Sequence, residues 1–223
     1  MTPGAGKVAI QEDRVLQLAY AGVHPDRLRE LVGEFGSTGA YRRIVAGAAK
    51  VNERARVAAT VPASQRRHDL AVAGIDFVPA STHGYPAPMA DLPDAPPGLF
   101  VRGVAAPSVP MVAVVGTRRC TSYGKQLAFE YGAAISAAGW GVVSGLARGI
   151  DGAAHRGVVA ARGVGVAVLG SGLDVMYPAE HADLAGGLVA AGGGVVSEYP
   201  PGTPPEGWRF PPRNRIISGM AHA

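Results

Sequence analysis

The stretch "WGVVSGLARGIDGAAHRGVVAARGVGVAVLGSG", from Trp140 to Gly172, decides the fold class. It contains two short valine-rich runs, each followed by glycine or serine, with the helix-like segment "DGAAHRGVVAARG" between them. Alternation of continuously apolar strands with helices is typical of a parallel sheet that is covered by helices on both faces. The stretch therefore predicts an α/β fold with a Rossmann-like parallel sheet.

The same alternation continues on both sides of this stretch. "MVAVVG" begins at Met111, "GGVVSE" ends at Glu198, and two further helix-like segments lie at 122–139 and 179–192. In such sheets, ligands bind outside the carboxyl ends of the strands. We therefore expect four loops, here called tips, at one edge of the sheet: 116–122, 144–151, 170–174 and 197–202.

The first third of the chain is predicted to be helical. Apolar spacing and glycine stops indicate short helices at 12–22, 24–36, 37–47 and 63–74. Two short helices joined by a glycine or His-Pro turn resemble a helix-hairpin-helix or SAM-like module, which contacts the DNA backbone in some proteins and is a plain packing unit in others. We predict a helical domain over 1–74, a proline-rich linker with short strands over 75–110, and a Rossmann-like domain over 111–223.

Composition limits the possible classes of protein. The chain has 223 residues, of which 48% are hydrophobic, so it can bury a sizeable core. A single cysteine, Cys120, excludes a disulfide framework within one chain and fits a reducing compartment. The net charge of +4 allows a nucleic-acid partner. The apolar runs are too short for a signal peptide or a membrane span, so neither is expected.

The glycine-rich tip allows three kinds of site, of which two fit poorly. A dinucleotide site needs G-x-G-x-x-G, but Gly116 is followed by Thr117 and Arg118, and the next strand closes at Ser144 without a carboxylate. A Walker P-loop is absent as well. We therefore expect no nucleotide cofactor.

A metal or acid–base site is the second kind. Asp151 and His155 are four residues apart and would share a helix face, but two ligands do not make a transition-metal site. The sequence around them offers no evident nucleophile or second carboxylate. We expect Asp151 to cap the helix start and His155 to hydrogen-bond to it, with no metal and no catalytic residue.

Phosphate binding is the third kind, and it fits best. Glycines at 145, 149 and 152 would let a phosphate approach the backbone, and the start of the following helix would offer free N–H groups. Arg118 and Arg148 follow two neighbouring strands, and a guanidinium can hold phosphate oxygens with two hydrogen bonds.

The end of the chain suggests what carries the phosphate. "PEGWRFPPRNRIISG" interleaves Trp208 and Phe210 with Arg209, Arg213 and Arg215. Such a pattern suits single-stranded nucleic acid, because aromatics stack on bases while arginines hold the backbone. The alternative is that the aromatics pack on the sheet and the arginines are solvated. Together with the arginines at the tips, the pattern favours binding.

Successive blocks of the chain resemble one family. "VAVVGTRRCTSYG", "VVSGLARGIDGAAH", "AVLGSGLDVMYPAEH", "SEYPPGTPP" and "FPPRNRIISGMA" look like the DNA-processing protein A (DprA/Smf) family, from about Tyr85 onward. The resemblance implies a cytoplasmic, non-enzymatic bacterial protein that binds single-stranded DNA. It also implies that the protein protects incoming DNA during natural transformation, helps to load RecA recombinase in recombination, forms a homodimer and needs no cofactor.

The family motifs place the expected site residue by residue. The G-[ST]-R tip falls on Gly116, Thr117 and Arg118, the S-G-x-A-x-G-I-D loop on Ser144, Gly145, Ala147, Gly149, Ile150 and Asp151, and the F-x-x-R-N-R segment on Phe210, Arg213, Asn214 and Arg215. With Arg148, these motifs supply the residues expected to bind DNA or phosphate. Asp151 and His155 are expected to shape the site.

One departure and two alternatives accompany this resemblance. The family continues with a further strand and helix where this chain stops at "SGMAHA", so we expect an incomplete sheet and marginal stability. A nucleoside monophosphate phosphoribohydrolase of the lonely-guy type is the enzymatic alternative, but "AGGGVVSEYPPG" lacks its G-T-x-x-E. An inactive fragment is the other alternative.

Overall fold

The structure is a computed structural model that describes residues 5–223, with side chains from Gln11 onward. Residues 1–4 lie outside the described residues. They belong to the predicted helical domain and to the N-terminal segment in which no signal peptide is expected. The chain divides into two compact units. The first unit comprises Met1–Thr82 and Pro96–Leu99, and the second comprises His83–Ala95 and Phe100–Ala223. Across the described residues, every helix is too short or too polar to cross a membrane.

The first unit is built mainly of helices. Its elements are α1 (Ala5–Ala19), α2 (Pro25–Val45), α3 (Glu53–Thr60), α4 (Ala63–Val72) and the strand β1 (Asp76–Pro79). Leu18, Leu31 and Ile44 are almost fully buried at the centre of its apolar core. The predicted helices are all present, because their apolar positions recur on one face.

Two local features refine the prediction for this unit. Gly36 interrupts α2 with φ 66° and ψ 169°, so α2 consists of two helices that meet at this glycine, as the sequence predicted. Helix α3 was not predicted. Its signal is Asn52, whose side-chain oxygen accepts a hydrogen bond of 2.8 Å from the amide of Ala55 and caps the helix.

A six-stranded sheet has the order β1-β2-β6-β5-β4-β3. Its further strands are β2 (Gly98–Gly103), β3 (Met111–Ala113), β4 (Gly141–Ser144), β5 (Gly165–Leu169) and β6 (Gly194–Ser197). Strands β3 to β6 are parallel, which confirms the predicted α/β class and mostly parallel sheet. Strand β2 runs antiparallel to β6, so the sheet is mixed rather than wholly parallel.

Four helices of the second unit flank these strands. They are α5 (Ser122–Ala137), α6 (Ile150–Ala160), α7 (Ala182–Ala190) and α8 (Phe210–Met220), accompanied by 3₁₀ turns at Ala87–Asp91, Ala179–His181 and Gly207–Arg209. Helix α6 packs between α5 and α7, and α8 packs against β3, β4 and β5. The carboxyl ends of the four parallel strands therefore meet at one edge, together with the start of α8.

The last two residues of the chain lie beside β3. The amide of His222 donates to the carbonyl oxygen of Met111 at 2.7 Å, and the amide of Ala113 donates to the carbonyl oxygen of Ala223 at 2.9 Å. This pairing occupies backbone groups of β3, the last strand in the sheet order. The expected marginal stability stays a prediction.

Candidate functional site

A cavity of about 330 Å³ opens where the carboxyl ends of β3 and β4 meet the start of α8. We call it the tip cavity; its lining residues are Val115, Gly116, Arg118, Ala147, Asp151, Gly207, Phe210, Pro211, Arg213 and Asn214. A smaller side pocket adjoins it and is lined by Arg118, Gly145, Ala147, Arg148, Tyr177, Pro178, Phe210 and Arg213. The structure therefore brings together the predicted arginine tips and the predicted arginine-aromatic segment.

Asp151 joins two tips at the base of the tip cavity. One carboxylate oxygen accepts a hydrogen bond from the amide of Gly116, and the other accepts one from the amide of Gly145, both at 3.1 Å. Burial raises the pKa of Asp151, while these hydrogen bonds and the charge of Arg213 oppose the rise. The carboxylate therefore holds the loops after β3 and β4 in one arrangement.

Arg213 reaches from α8 into the same region. Its side chain is buried, and Nη1 donates to the carbonyl oxygens of Gly145, at 2.9 Å, and Val168. Burial lowers the pKa of Arg213 to about 10, against the opposing effect of Asp151, so the guanidinium is charged at neutral pH. Arg213 thus ties α8 to the ends of β4 and β5 while it lines the cavity.

The glycines of the tip pack closely against other parts of the protein, and the expected phosphate cradle of backbone amides stays a prediction. The amides of Gly116 and Gly145 donate to Asp151, and the amides at the start of α6 donate to protein carbonyls, as those of Gly152 and Ala153 do. A Cβ at Gly145 would overlap the Arg213 guanidinium, and one at Gly152 would press on the His181 ring. Because these amides already have acceptors, positive charge in the cavity comes from arginine side chains.

Arg118 is the exposed cation of the tip cavity. Its guanidinium carbon lies 4.6 Å from the centre of the Phe210 ring. Among the described residues, no carboxylate forms an ion pair with Arg118. Arg148, Arg209 and Arg215 of the same unit each form an ion pair with a carboxylate. A guanidinium held over an aromatic ring is positioned to contact a phosphate.

Phe210 and Tyr177 form the aromatic wall of the two cavities. Their ring centres are 5.6 Å apart with an interplanar angle of 35°. Phe210 is half-buried, and Tyr177 is 36% exposed, so both rings present area to solvent. Tyr177 was not among the predicted site residues, and its only signal was its place in the family-like block "AVLGSGLDVMYPAEH".

Arg148 lies at the rim of the side pocket and is already paired. Its guanidinium makes two hydrogen bonds to the carboxylate of Glu180, at 2.5 and 3.0 Å. These bonds lower the pKa of Glu180. Both side chains are about half exposed, so an incoming phosphate could exchange with the carboxylate at little cost.

Arg215, which the F-x-x-R-N-R segment predicted to bind DNA, lines neither cavity. Its guanidinium makes two hydrogen bonds to the nearly buried Glu198, at 2.8 and 2.7 Å, and lies 3.2 Å from a carboxylate oxygen of Asp94. These two carboxylates neutralise its charge. Arg215 therefore anchors α8, whereas Asn214 in the same segment lines the tip cavity.

Three other predicted residues shape the loops without lining either cavity. The Ser144 hydroxyl donates to the carbonyl oxygen of Val114 at 2.5 Å, and the Thr117 hydroxyl accepts from the amide of Arg119 at 3.1 Å. Gly149 has φ 82° and directly precedes α6. Their contribution to the site is therefore the path of the backbone.

No hydrogen bond joins His155 to Asp151, whose two carboxylate oxygens accept from backbone amides. The imidazole is fully buried within α6, and burial lowers the pKa of His155 to about 4. His181 and Arg213 disfavour a positive charge on the ring electrostatically, and this lowers the pKa of His155 further. His155 is thus a neutral side chain of the interior.

His181 is the shaping residue that sequence reasoning missed. Its Nε2 lies 3.0 Å from the guanidinium of Arg156, which can only donate, so Nδ1 carries the proton and donates to the carbonyl oxygen of Leu146 at 2.8 Å. Leu146 has φ 53°, an unusual conformation for a branched side chain. His181 therefore holds the strained tip between β4 and α6.

Comparisons with known proteins agree with this architecture. The family model described as "DNA recombination-mediator protein A" matches residues 76–223. Protein Smf from Escherichia coli is 42% identical over 146 residues, which cover 65% of this chain and 39% of that protein. DNA processing protein DprA from Bacillus subtilis is 39% identical over 150 residues, which cover 66% of this chain and 50% of that protein. The chain thus spans half or less of the length of these relatives.

Two solved structures are also similar. The X-ray structure of DNA processing protein A from Streptococcus pneumoniae has a TM-score of 0.70 at 27% identity, covering 94% of this chain and 75% of that one. A structure that describes the single-stranded DNA binding mode of DNA processing protein A from Helicobacter pylori has a TM-score of 0.56 at 26% identity, covering 66% of each chain. The resemblance predicted from the sequence motifs is confirmed.

Proposed function

The chain belongs to the DNA recombination-mediator protein A family, and on this basis we propose that it binds single-stranded DNA at the tip cavity. The observation that carries the proposal is Arg118, an exposed cation without a carboxylate partner among the described residues, held over the ring of Phe210. A relative from Helicobacter pylori is described as binding single-stranded DNA. The same chemistry fits the cavity of this chain.

The cavity combines two kinds of contact that a single strand requires. Arg118 and, after exchange with Glu180, Arg148 contact phosphate oxygens, while the rings of Phe210 and Tyr177 stack on bases. Stacking contributes about 1–3 kcal/mol per base and depends little on base identity. In a duplex the bases are already stacked inside the helix, so these rings favour single strands.

The wider role follows from the family. We propose that the protein processes incoming DNA during natural transformation, protects it, and helps to load RecA recombinase onto it. It acts in the cytoplasm as a homodimer, without an enzymatic step and without a cofactor. The arrangement of Asp151 supports a binding role, because its carboxylate is committed to two backbone amides.

Arg118→Ala tests the site directly. We expect the variant to bind a labelled single-stranded oligonucleotide at least about tenfold more weakly in fluorescence anisotropy, because a charge-assisted phosphate contact is worth about 1.5–3 kcal/mol. The matched control is Arg119→Ala, since Arg119 is the next residue, is exposed, and lines neither cavity.

Equal loss in the two variants would contradict the assignment of Arg118, and unchanged binding by Arg118→Ala would do so as well. The same preparation is incubated with AMP. Release of free adenine would support the phosphoribohydrolase alternative instead.

A further inference from the structure

Cations in the described part of the first unit, from Gln11 onward, fall into two groups. In the first group each arginine has a carboxylate or another acceptor. Ion pairs join Arg27 to Glu30, Arg29 to Asp26, Arg56 to Glu53 and Arg67 to Asp13, at distances between 2.8 and 3.1 Å. Arg14 donates to Gln17 and lies over Tyr41, and Arg66 donates to the carbonyl oxygen of Ala58 and lies over Tyr20.

The second group consists of Arg42, Arg43, Lys50 and Arg54, which we call the basic segment. All four side chains are exposed. Within the described part of the chain none of them lies within ion-pair distance of a carboxylate. Glu53 is the only acidic residue between positions 42 and 56, and it pairs with Arg56. The described cations of this unit that have neither a carboxylate nor a hydrogen-bond acceptor for their side chains are thus confined to thirteen consecutive residues.

Packing holds the basic segment in place. Ile44 and Ala49 are buried in the apolar core, so the end of α2 and the following loop are anchored from inside. Nε of Arg56 donates to the carbonyl oxygen of Val45 at 3.3 Å, which fixes the start of α3 against the end of α2. The backbone that carries the four cations is therefore anchored by packing and by this hydrogen bond.

The chemistry of this surface fits a phosphate backbone. Four cations without carboxylate partners attract a polyanion, and contacts to phosphates depend on charge rather than on base sequence. The half-buried ring of Phe35 lies under Arg43, 3.7 Å from its guanidinium carbon. Between residues 42 and 54, no large apolar side chain is among the exposed ones, so the segment has none of its own to insert into a lipid bilayer.

We propose that the basic segment is a second DNA contact, which binds backbone phosphates of a single strand. This inference rests on the proposed function and adds a contact that the tip cavity does not supply. It predicts contact with phosphates alone, so single strands and duplexes are bound equally well at this surface.

Two residues of the basic segment also have a possible role in helix stability, and this role can be measured separately from DNA binding. Arg42 and Arg43 lie in the last turn of α2, where a cation stabilises the helix through its dipole. That role affects thermal stability, whereas a phosphate contact affects the salt dependence of DNA affinity. The two roles therefore have different readouts.

The test uses the full chain with Arg42→Gln and Arg54→Gln combined. Neither residue has a hydrogen bond or an ion pair from its side chain among the described contacts, so the fold is expected to survive. We expect the slope of log affinity against log salt to fall in magnitude by about 0.7–1.4, because each phosphate contact on a single strand contributes about 0.7. Affinity for a long single strand falls severalfold at low salt.

The matched control is Arg27→Gln combined with Arg29→Gln, which removes the same net charge from residues that already have acidic partners. Its salt slope is expected to equal that of the unaltered chain. Arg42→Lys combined with Arg54→Lys is expected to restore the slope, which also distinguishes lost contact from lost folding.

Each outcome decides the inference. The inference is supported if only the Arg42→Gln, Arg54→Gln variant has a reduced salt slope and the Arg42→Lys, Arg54→Lys variant restores that slope. The inference is wrong if the Arg27→Gln, Arg29→Gln control loses as much salt slope. It is also wrong if the Arg42→Gln, Arg54→Gln variant keeps its slope, or if the lysine variant does not restore the slope. If Arg118→Ala weakens binding while the Arg42→Gln, Arg54→Gln variant does not, DNA binding at the tip cavity is supported and the second contact is contradicted. If the unaltered chain binds no DNA, both proposals fall.

Discussion

At the scale of single residues, His155 shows how burial controls charge. Because burial lowers the pKa of His155 to about 4, the folded protein does not take up the proton that an unfolded histidine binds below about 6.5. The unfolded state therefore gains stability as pH falls from about 6.5 to about 4. We expect the protein to lose up to about 3 kcal/mol of unfolding free energy from this residue over that range.

His155→Leu is expected to remove this part of the acid sensitivity, since leucine binds no proton. Denaturant unfolding at several pH values measures it. His68→Gln is the control, because His68 is exposed. A pH slope in His155→Leu that matches the unaltered chain would refute the neutral assignment.

At the scale of elements, the pair of Arg215 and Glu198 attaches α8 to the end of β6. The Glu198 side chain is only 4% exposed, so removal of its partner leaves a buried charge without compensation. We expect Arg215→Met to lower the free energy of unfolding by about 3 kcal/mol, and thermal or denaturant unfolding measures the loss. Where the variant is folded, its DNA salt slope stays that of the unaltered chain.

Combining Arg215→Met with Glu198→Leu is expected to recover part of this stability, because the uncompensated charge is then absent. A reduced salt slope in folded Arg215→Met would return Arg215 to the DNA-binding residues. If Arg215→Met combined with Glu198→Leu is as unstable as Arg215→Met alone, the broken ion pair is not the cause of the lost stability.

At the scale of the whole molecule, two kinds of DNA contact are expected to separate. Stacking on Phe210 depends on unpaired bases, whereas the basic segment contacts phosphates only. We expect Phe210→Ala to reduce the preference for a single strand over a duplex of the same sequence by about tenfold, the equivalent of about 1.4 kcal/mol. Competition anisotropy with the two forms of DNA measures the preference.

Trp208→Ala is the control for Phe210→Ala. Trp208 is 49% exposed and donates to Glu206 at 2.9 Å, but it lines neither cavity. If Trp208→Ala reduces the single-strand preference as much as Phe210→Ala does, base stacking is not confined to the tip cavity.

The sequence by itself determined the elements and the family. Valine-rich runs, glycine stops and apolar spacing are local signals, and for this reason they located the strands and most helices of the structure. The ordered motifs from about Tyr85 onward identified the family in the same way, because each motif is a short run of residues. The presence of arginines near the tips was also readable from the chain.

Only the tertiary structure decided which of those residues form the site. Arg213 and Arg215 are two positions apart on α8, and a helix turns their side chains in different directions, so one enters the cavity and the other meets Glu198. The partner of Arg213, Gly145, is 68 residues away in the chain. The amides of Gly116 and Gly145 donate to Asp151, and those of Gly152 and Ala153 donate to backbone carbonyls. Such contacts depend on how distant segments pack, and no local pattern of residue types specifies them.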